Sequence, residues 1–427
     1  MRAPVLSFLA LATCFSGQST AGLPCHSDAA CVDLACVAGV CGGEEPAPSY
    51  LRGVSVLFVI SDDPGAAEVQ GRLARSVAPM IEKFMGWRLH FRIGVISTAM
   101  DHPLCGPGDG GALQLRSCTD TGEVPSGACP AVCSSVTEVK VIHRATTLEL
   151  GGEAALRPWI EVGPDAGDDN LKVPHPDLEG KFAPASQFVG CYLPRRASGC
   201  GFEQPLAALL RFLGRNGDPT DPAYGFVGAG ELLAVVFVGR GSDCSYSAGA
   251  ADIFDPAGAR TFWGDPLATA ATPAVCWNAG AACSNVQADD TYFECHAVDR
   301  DPSGLAGAEP DDAVLTPVRA VVDALDRSIV TGLGGEVLIA GVLGAPVEPY
   351  RVASPGDALG IGLACDHDGV TAVPPLRLQA LAEAFAQGLP GGFLSVCDVD
   401  YGEGFSRLAD DIVALLERPI VSGETTD

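Results

Sequence analysis

Val54-Ser-Val-Leu-Phe-Val-Ile60 is a short, uncharged apolar run, and it reads as a strand buried on both faces. Residues 66–85 follow it with helical spacing, through Val69, Leu73, Val77, Met80, Ile81 and Phe84. Residues 89–96 (LHFRIGVI) read as a second strand, and 232–238 (LLAVVFV) and 337–342 (VLIAGV) as further buried strands. Helical stretches accompany them at 203–213, 311–329, 376–387 and 405–417. Strand and helix in alternation predict an α/β domain, with a mostly parallel sheet covered by helices on both faces.

Two long stretches stand outside that alternation. Residues 101–190 and 241–310 are rich in Gly, Pro, Asp and Cys, with only short β-like runs such as 139–142. They are too long for ordinary loops and read as disulfide-braced insertions on the edges of the sheet. The α/β domain is therefore assigned to 51–420, both insertions included.

Upstream lies a different kind of chain. Met1-Arg2 is a short basic start, residues 5–12 are apolar, and Ser19-Thr20-Ala21 offers small residues to a signal peptidase, so 1–21 reads as an export signal. A second reading ends the leader at Leu11-Ala12-Thr13-Cys14 and places a lipid on Cys14. Residues 22–43 hold Cys25, Cys31, Cys36 and Cys41 among Ser, Asp, Ala and Gly, too few apolar groups for a core. Two disulfides are expected to hold this module, since the CxxC knuckles typical of structural zinc are missing. Residues 44–50 form a linker.

The chain has 17 cysteines, too many for a reduced cytosol. Processing removes Cys14 from the count. Besides the module, Cys105, Cys118, Cys129, Cys133, Cys191, Cys200, Cys244, Cys276, Cys283, Cys295, Cys365 and Cys397 remain as disulfide candidates. All sixteen are expected to be paired; sequence leaves the connectivity open, with Cys365–Cys397 as the one pair suggested. The net charge of −27, from 53 acids against 26 bases, repels phosphate backbones and argues against a nucleic-acid partner. No later segment has the ~20 uninterrupted apolar residues of a membrane span, so a lipid on Cys14 is the only membrane attachment considered.

No catalytic signature stands out. A phosphate-binding GxxxxGK[ST] loop, HExxH and GxSxG are all missing, and the glycine-rich 106–111 lacks the strand-to-helix context that would give it meaning. Histidines are scattered; His143 and His296 read as structural. Two acid pairs follow cysteines, Asp366/Asp368 and Asp398/Asp400. Calcium is one reading of them, turn formation and solvation the other, and the second pair lacks the glycine and glutamate of an EF-hand.

The segments 51–98 and 196–245 resemble von Willebrand factor A domains, in particular exported bacterial ones with a cysteine-rich N-terminal module. The pattern LFVIDNSGSMxxxQxxL of such proteins is kept in register here from Leu57-Phe-Val-Ile60 to Gln70 and Leu73. IGVVTTD is matched at 93–99, GTSGCGFEQPL at 197–206, and VVFVTDEDDCS at 235–245. The resemblance implies a metal at the carboxyl edge of the sheet, held by DxSxS, a threonine and an aspartate. In this chain the corresponding positions are Ser61, Asp63, Gly65, Ala197 and Arg240. Gly65 and Ala197 have no side-chain oxygen and Arg240 brings a positive charge, so the resemblance implies a lost metal site and no cofactor.

The expectation is thus a vWA-like, Rossmann-type protein that is exported to the envelope, periplasm or medium, is not an enzyme, and binds a protein or cell-surface ligand. An internal ion pair of Arg240 with Asp63 or Asp62 is expected to stand where the cation stood. Two alternatives remain: an exported hydrolase, which would bring His102, His143, His175 or His296 to a Ser or Asp in a cleft, and an adhesion domain with non-standard metal ligands.

Overall fold

The structure is a computed structural model that describes residues 36–37, 40–41, 50–119, 128–129, 133, 140–141, 149–150, 153–154, 157–164, 170–172, 184–284, 291–345, 350–351, 362–385 and 393–418. The chain divides into two compact units, one of 51–418 and one of 1–50 with 419–427. In the second, Cys36–Val37 pairs antiparallel with Val40–Cys41. The leader, Cys14, Cys25, Cys31 and linker residues 44–49 lie outside the described residues.

The larger unit is built on a six-stranded sheet. Its strands are β1 (Val54–Ile60), β2 (Phe91–Ser97), β3 (Ile160–Val162), β4 (Leu232–Val238), β5 (Glu336–Leu343) and β6 (Phe393–Ser395). They lie side by side in the order β6-β5-β4-β1-β2-β3. All neighbours are parallel except β3, which pairs antiparallel with β2 through Ile93 and Ile160. Every residue of β1 and β4 is buried, as central strands covered on both faces require.

Alternate side chains along the strands divide the core into two layers. Leu57, Val59, Val235, Phe237 and Ile339 pack with helices α3 (Pro205–Gly217), α5 (Val318–Leu325) and α6 (Leu376–Ala384). Phe58 points the other way and meets Phe405 of α7 (Gly402–Leu416) at 6.2 Å between ring centroids. Helices α1 (Ala67–Ser76) and α2 (Ala78–Gly86) share that second layer, with Phe84 against Phe91 at 5.4 Å.

The helical stretch expected over 66–85 is two helices. Pro79 has no N–H to return to the carbonyl of Arg75, so the first helix stops and the second starts at Ala78. The stretch 311–329 is helical only from Val318. Its first part is a turn, with the Asp312 and Ala313 N–H groups on Glu309 O, and then a bridge of Leu315 to Tyr246 with Thr316 N–H donating to Ser245 O at 2.7 Å; Pro317 disfavours helix in the residue before it. A π-helix over Asp326–Thr331 completes the stretch.

The insertions do more than hang on the edges. Residues 101–190 supply β3, which extends the central sheet. Residues 241–310 carry helix α4 (Ala274–Gly280) and a core of their own, in which Phe254, Phe262, Trp263 and Val275 pack around Cys244 and Cys276. Disulfides join Cys105–Cys200, Cys118–Cys129, Cys133–Cys191, Cys244–Cys276, Cys283–Cys295 and Cys365–Cys397. So many bridges suit an oxidising, extracellular or cell-surface environment. Among the described residues no helix is long and apolar enough to cross a membrane.

Candidate functional site

In chain order the sheet reads third, second, first, fourth, fifth, sixth, so its winding reverses between β1 and β4. Ligands of open α/β sheets bind at this switch point, outside the carboxyl ends of the strands. The loops leaving β1 (61–65) and β4 (239–243) meet there, and Ser61 N–H donates to Val238 O at 2.8 Å.

Arg240 and Asp63 close the mouth of this crevice. Nε and Nη2 of Arg240 lie 2.8 and 2.7 Å from the same oxygen, Oδ1 of Asp63, with the side chains 17% and 9% exposed. That oxygen also accepts the Gly65 N–H at 2.6 Å. The guanidinium lies directly over Gly65, where an added Cβ would come within 2.2 Å of Arg240 Cζ. Glycine at 65 is therefore what lets the arginine in.

Near the pair sits Glu203, buried in the loop just before α3. Ser61 Oγ donates to Glu203 Oε1, and Gly239 and Gly241 leave room for its other oxygen. Burial raises the Glu203 carboxyl well above the usual range, and the charges of Asp63 and Asp62 push it further the same way against the opposing pull of Arg240. A protonated acid at this position hydrogen-bonds without adding a third negative charge. Glu203 lies within the segment 197–206, where nothing in the sequence sets it apart as a site residue except that it is a single charge in a neutral Gly- and Cys-rich run entering an apolar helix.

Asp62 is the other acid of the loop. It is buried, and burial raises its carboxyl above the ordinary range, with Arg196 opposing. Arg196 Nε stands 3.7 Å from Asp62 Oδ2, beyond hydrogen-bond length, and that oxygen has no hydrogen-bond partner. Thr98 Oγ1, at the end of β2, is likewise buried and without one. Ala197 is half-buried in the loop before α3, two residues from Gly199, whose N–H donates to Asp62 O at 2.7 Å. Arg240 thus meets Asp63, while Asp62 is left to Arg196.

The acid pairs near Cys365 and Cys397 surround a second arginine. Arg72, 2% exposed at its side chain, donates to the carbonyls of Cys397 (3.2 Å), Asp398 (3.0 Å) and Asp368 (3.1 Å) and to Asp368 Oδ2 (3.1 Å). Its Nε reaches Glu68 Oε1 at 3.1 Å. Of the carboxylates that invited a calcium reading, Asp368 is engaged by the guanidinium and Asp400 Oδ1 accepts from Ser76 Oγ and the Gly402 N–H, and the Cys365–Cys397 disulfide holds the two turns together.

Of the histidines, His102 lies in a box of rings, stacked on Phe202 at 4.6 Å with the edges of Phe254 and Tyr246 around it. Its Nδ1 accepts the Leu104 N–H at 3.1 Å and lies 3.4 Å from Cys105 Sγ. Burial lowers its pKa to about 4. His296 sits on a strand of the second insertion, opposite Ala282, and His143 and His175 lie outside the described residues. The sulfurs of Cys105 and Cys200 near His102 are geometrically close enough to share a metal with it, but they are joined in a disulfide.

No family model matches the chain, and no curated protein matches it. Among solved structures it is similar to the pilus adhesin SpaC of Lactobacillus rhamnosus GG in its open conformation, at 10% identity and a TM-score of 0.32, covering 86% of this chain and 30% of the adhesin. A second structure of that adhesin matches at 10% identity and the same TM-score of 0.32, covering 86% of this chain and 31% of its own. The chain therefore spans under a third of the adhesin's length.

Proposed function

We propose that this chain is an exported, non-enzymatic binding protein of the von Willebrand factor A type, whose metal has been replaced by an internal cation. One observation carries the reading: at the sheet's switch point the Arg240 guanidinium rests on Asp63 over Gly65. The residues present do not fit a hard divalent ion. Gly65 and Ala197 offer no side-chain oxygen, Ser61 Oγ is committed to Glu203, and a guanidinium on Asp63 repels a second cation. Binding is assigned to the loop edge at the carboxyl ends of β1, β2 and β4, flanked by the insertions 101–190 and 241–310. The strand order with one antiparallel member supports the fold assignment, and the aromatic surroundings of His102 support a structural role for it.

The test is thermal unfolding with Mg²⁺, Mn²⁺ and Ca²⁺ in turn. An ion that bound only the native state at one hundred times its dissociation constant would add ~2.7 kcal/mol, several degrees of melting temperature. The expected result is a shift no larger than that of matched ionic strength. A saturable, ion-selective rise would overturn the reading.

A further inference from the structure

We propose that the loop edge at Asp62 receives a cationic group of a partner, a guanidinium or an ammonium, which displaces Arg196. This rests on the metal-free reading above and names the chemistry of its ligand. Metal-bearing edges of open α/β sheets present a positive centre; here the positive centre is internal and consumed. Arg240 spends two nitrogens on Asp63 Oδ1, leaving Asp62 as the acid of this loop without a close partner.

Asp62 is 4% exposed, yet its Oδ2 makes no hydrogen bond. A buried carboxylate oxygen without a donor is costly, and such groups cluster where function demands them. Its one nearby cation, Arg196, stands 3.7 Å away with 41% of its side chain exposed. That is a loose, displaceable contact, whereas a well-seated guanidinium or ammonium makes short charge-assisted hydrogen bonds. Gly199 sets the shape of the spot: an added Cβ there would lie 2.5 Å from Asp62 Oδ1. Thr98 Oγ1, on the strand end whose N–H donates to Ile60 O at 3.1 Å, offers a second unpaired polar atom at the same edge. The chain's net charge of −27 favours cationic over anionic partners in general.

The probes are N-acetyl-arginine amide, its uncharged isostere N-acetyl-citrulline amide, and N-acetyl-glutamate amide, titrated into the full chain while the Gly199 and Thr98 amide resonances are followed. The arginine probe is expected to shift both resonances saturably and the citrulline probe to leave them in place. Arg196→Ala should tighten the arginine probe by up to about fivefold, the worth of a loose exposed ion pair. Asp62→Asn should abolish the response. Equal binding of arginine and citrulline probes, or no response to either, would overturn the proposal. If Asp62→Asn fails to fold, Arg196→Ala decides alone: unchanged or weakened arginine binding overturns it. Saturable binding of the glutamate probe that requires Mg²⁺ would instead overturn the metal-free reading, so the two failures are distinct.

Discussion

Arg240 and Asp63, 177 residues apart in sequence, meet through two guanidinium nitrogens on one carboxylate oxygen, at 2.8 and 2.7 Å. The guanidinium reaches on to Thr371 Oγ1 at 3.4 Å, which ties the β1 and β4 loops to the short hairpin strand Val370–Ala372 before α6. A single side chain thus spans three loops of the carboxyl edge.

Removing it should destabilise the domain. Taking one member from a buried pair costs about 3–5 kcal/mol, and an exposed pair is worth ~0–1 kcal/mol. With 17% and 9% of the two side chains exposed, Arg240→Ala should fall between these limits, toward the buried one. Asp63→Ala in the same chain should restore part of the loss. Urea unfolding of the two single variants and the double variant measures the coupling, and strict additivity would show that the pair carries no energy of its own.

Gly65→Ala tests the same geometry from below. A Cβ at 65 meets Arg240 Cζ at 2.2 Å, so the arginine must leave its position on Asp63. The variant should lose about as much stability as Arg240→Ala, and combining the two should cost little more than either. Full additivity in unfolding experiments would place the guanidinium elsewhere.

Much of this was legible in the sequence, and the reasons differ by element. The strands at 54–60 and 232–238 announce themselves because burial on both faces leaves them uncharged and almost wholly apolar, Ser55 being buried with its hydroxyl bonded. Arg240 stood out only through the resemblance, which puts it at the third-loop aspartate position beside the loop of Asp62 and Asp63. The break at Val77 was hidden by hydrophobic spacing that runs on through it, although Pro79 marked the place. Glu203 was illegible as a site residue because its importance lies in what surrounds it, three loops brought together only by the fold. Arg72 was lost for the same reason: its oxygens come from 368 and 397–398, and backbone carbonyls leave no trace in sequence.

Arg72 is the basis of a further stability prediction. Its guanidinium satisfies three carbonyls and two carboxylates while nearly excluded from water. Arg72→Met keeps the stem's packing and removes the charge; Glu68 and Asp368 are more than half exposed and stay solvated, so the loss should be about 1–3 kcal/mol, the cost of leaving buried acceptors unpaired. The loss should be read from urea midpoints with the Cys365–Cys397 disulfide intact, and a change under 1 kcal/mol, the range of an exposed pair, would contradict the buried cradle.

Glu203 should make the protein less stable as pH rises. Its carboxyl titrates well above the ordinary value in the folded state, so the folded chain holds a proton that the unfolded chain gives up. Stability is then greatest below the unfolded value of 4.5 and falls as pH climbs toward the folded value. Glu203→Gln keeps a hydrogen-bonding oxygen for Ser61 Oγ and cannot ionise. It should match the parent chain at pH 4 and be the more stable of the two at pH 8, by chemical unfolding at each pH. A variant less stable than the parent at pH 8 would mean that Glu203 is needed as a carboxylate.

At the opposite edge of the sheet the pH dependence comes from a network. His90 Nε2 lies 2.9 Å from Glu161 Oε1, and Arg92 joins Glu161 at 3.1 Å and Glu231 at 2.6 Å. Hydrogen bonds to Glu161 and Glu231 raise His90 to about 9, against burial, which lowers it. Glu161 moves the other way: burial raises it, but His90, Arg92 and Trp159 together prevail and lower it to about 2. The histidine's contribution is complete below its unfolded pKa near 6.5 and is lost as pH rises through about 9. The glutamate's contribution is complete above its unfolded value of 4.5 and is lost as pH falls toward about 2. His90→Gln should therefore flatten the parent's decline between pH 6.5 and 9 beyond what Glu203→Gln removes, while leaving the acid limb shallower but present because Arg92 still holds Glu161. Denaturant midpoints of the parent, His90→Gln and Glu161→Gln across pH 3 to 10 separate the limbs. An alkaline decline as steep in His90→Gln as in the parent would show that the imidazole is not charged in the folded protein.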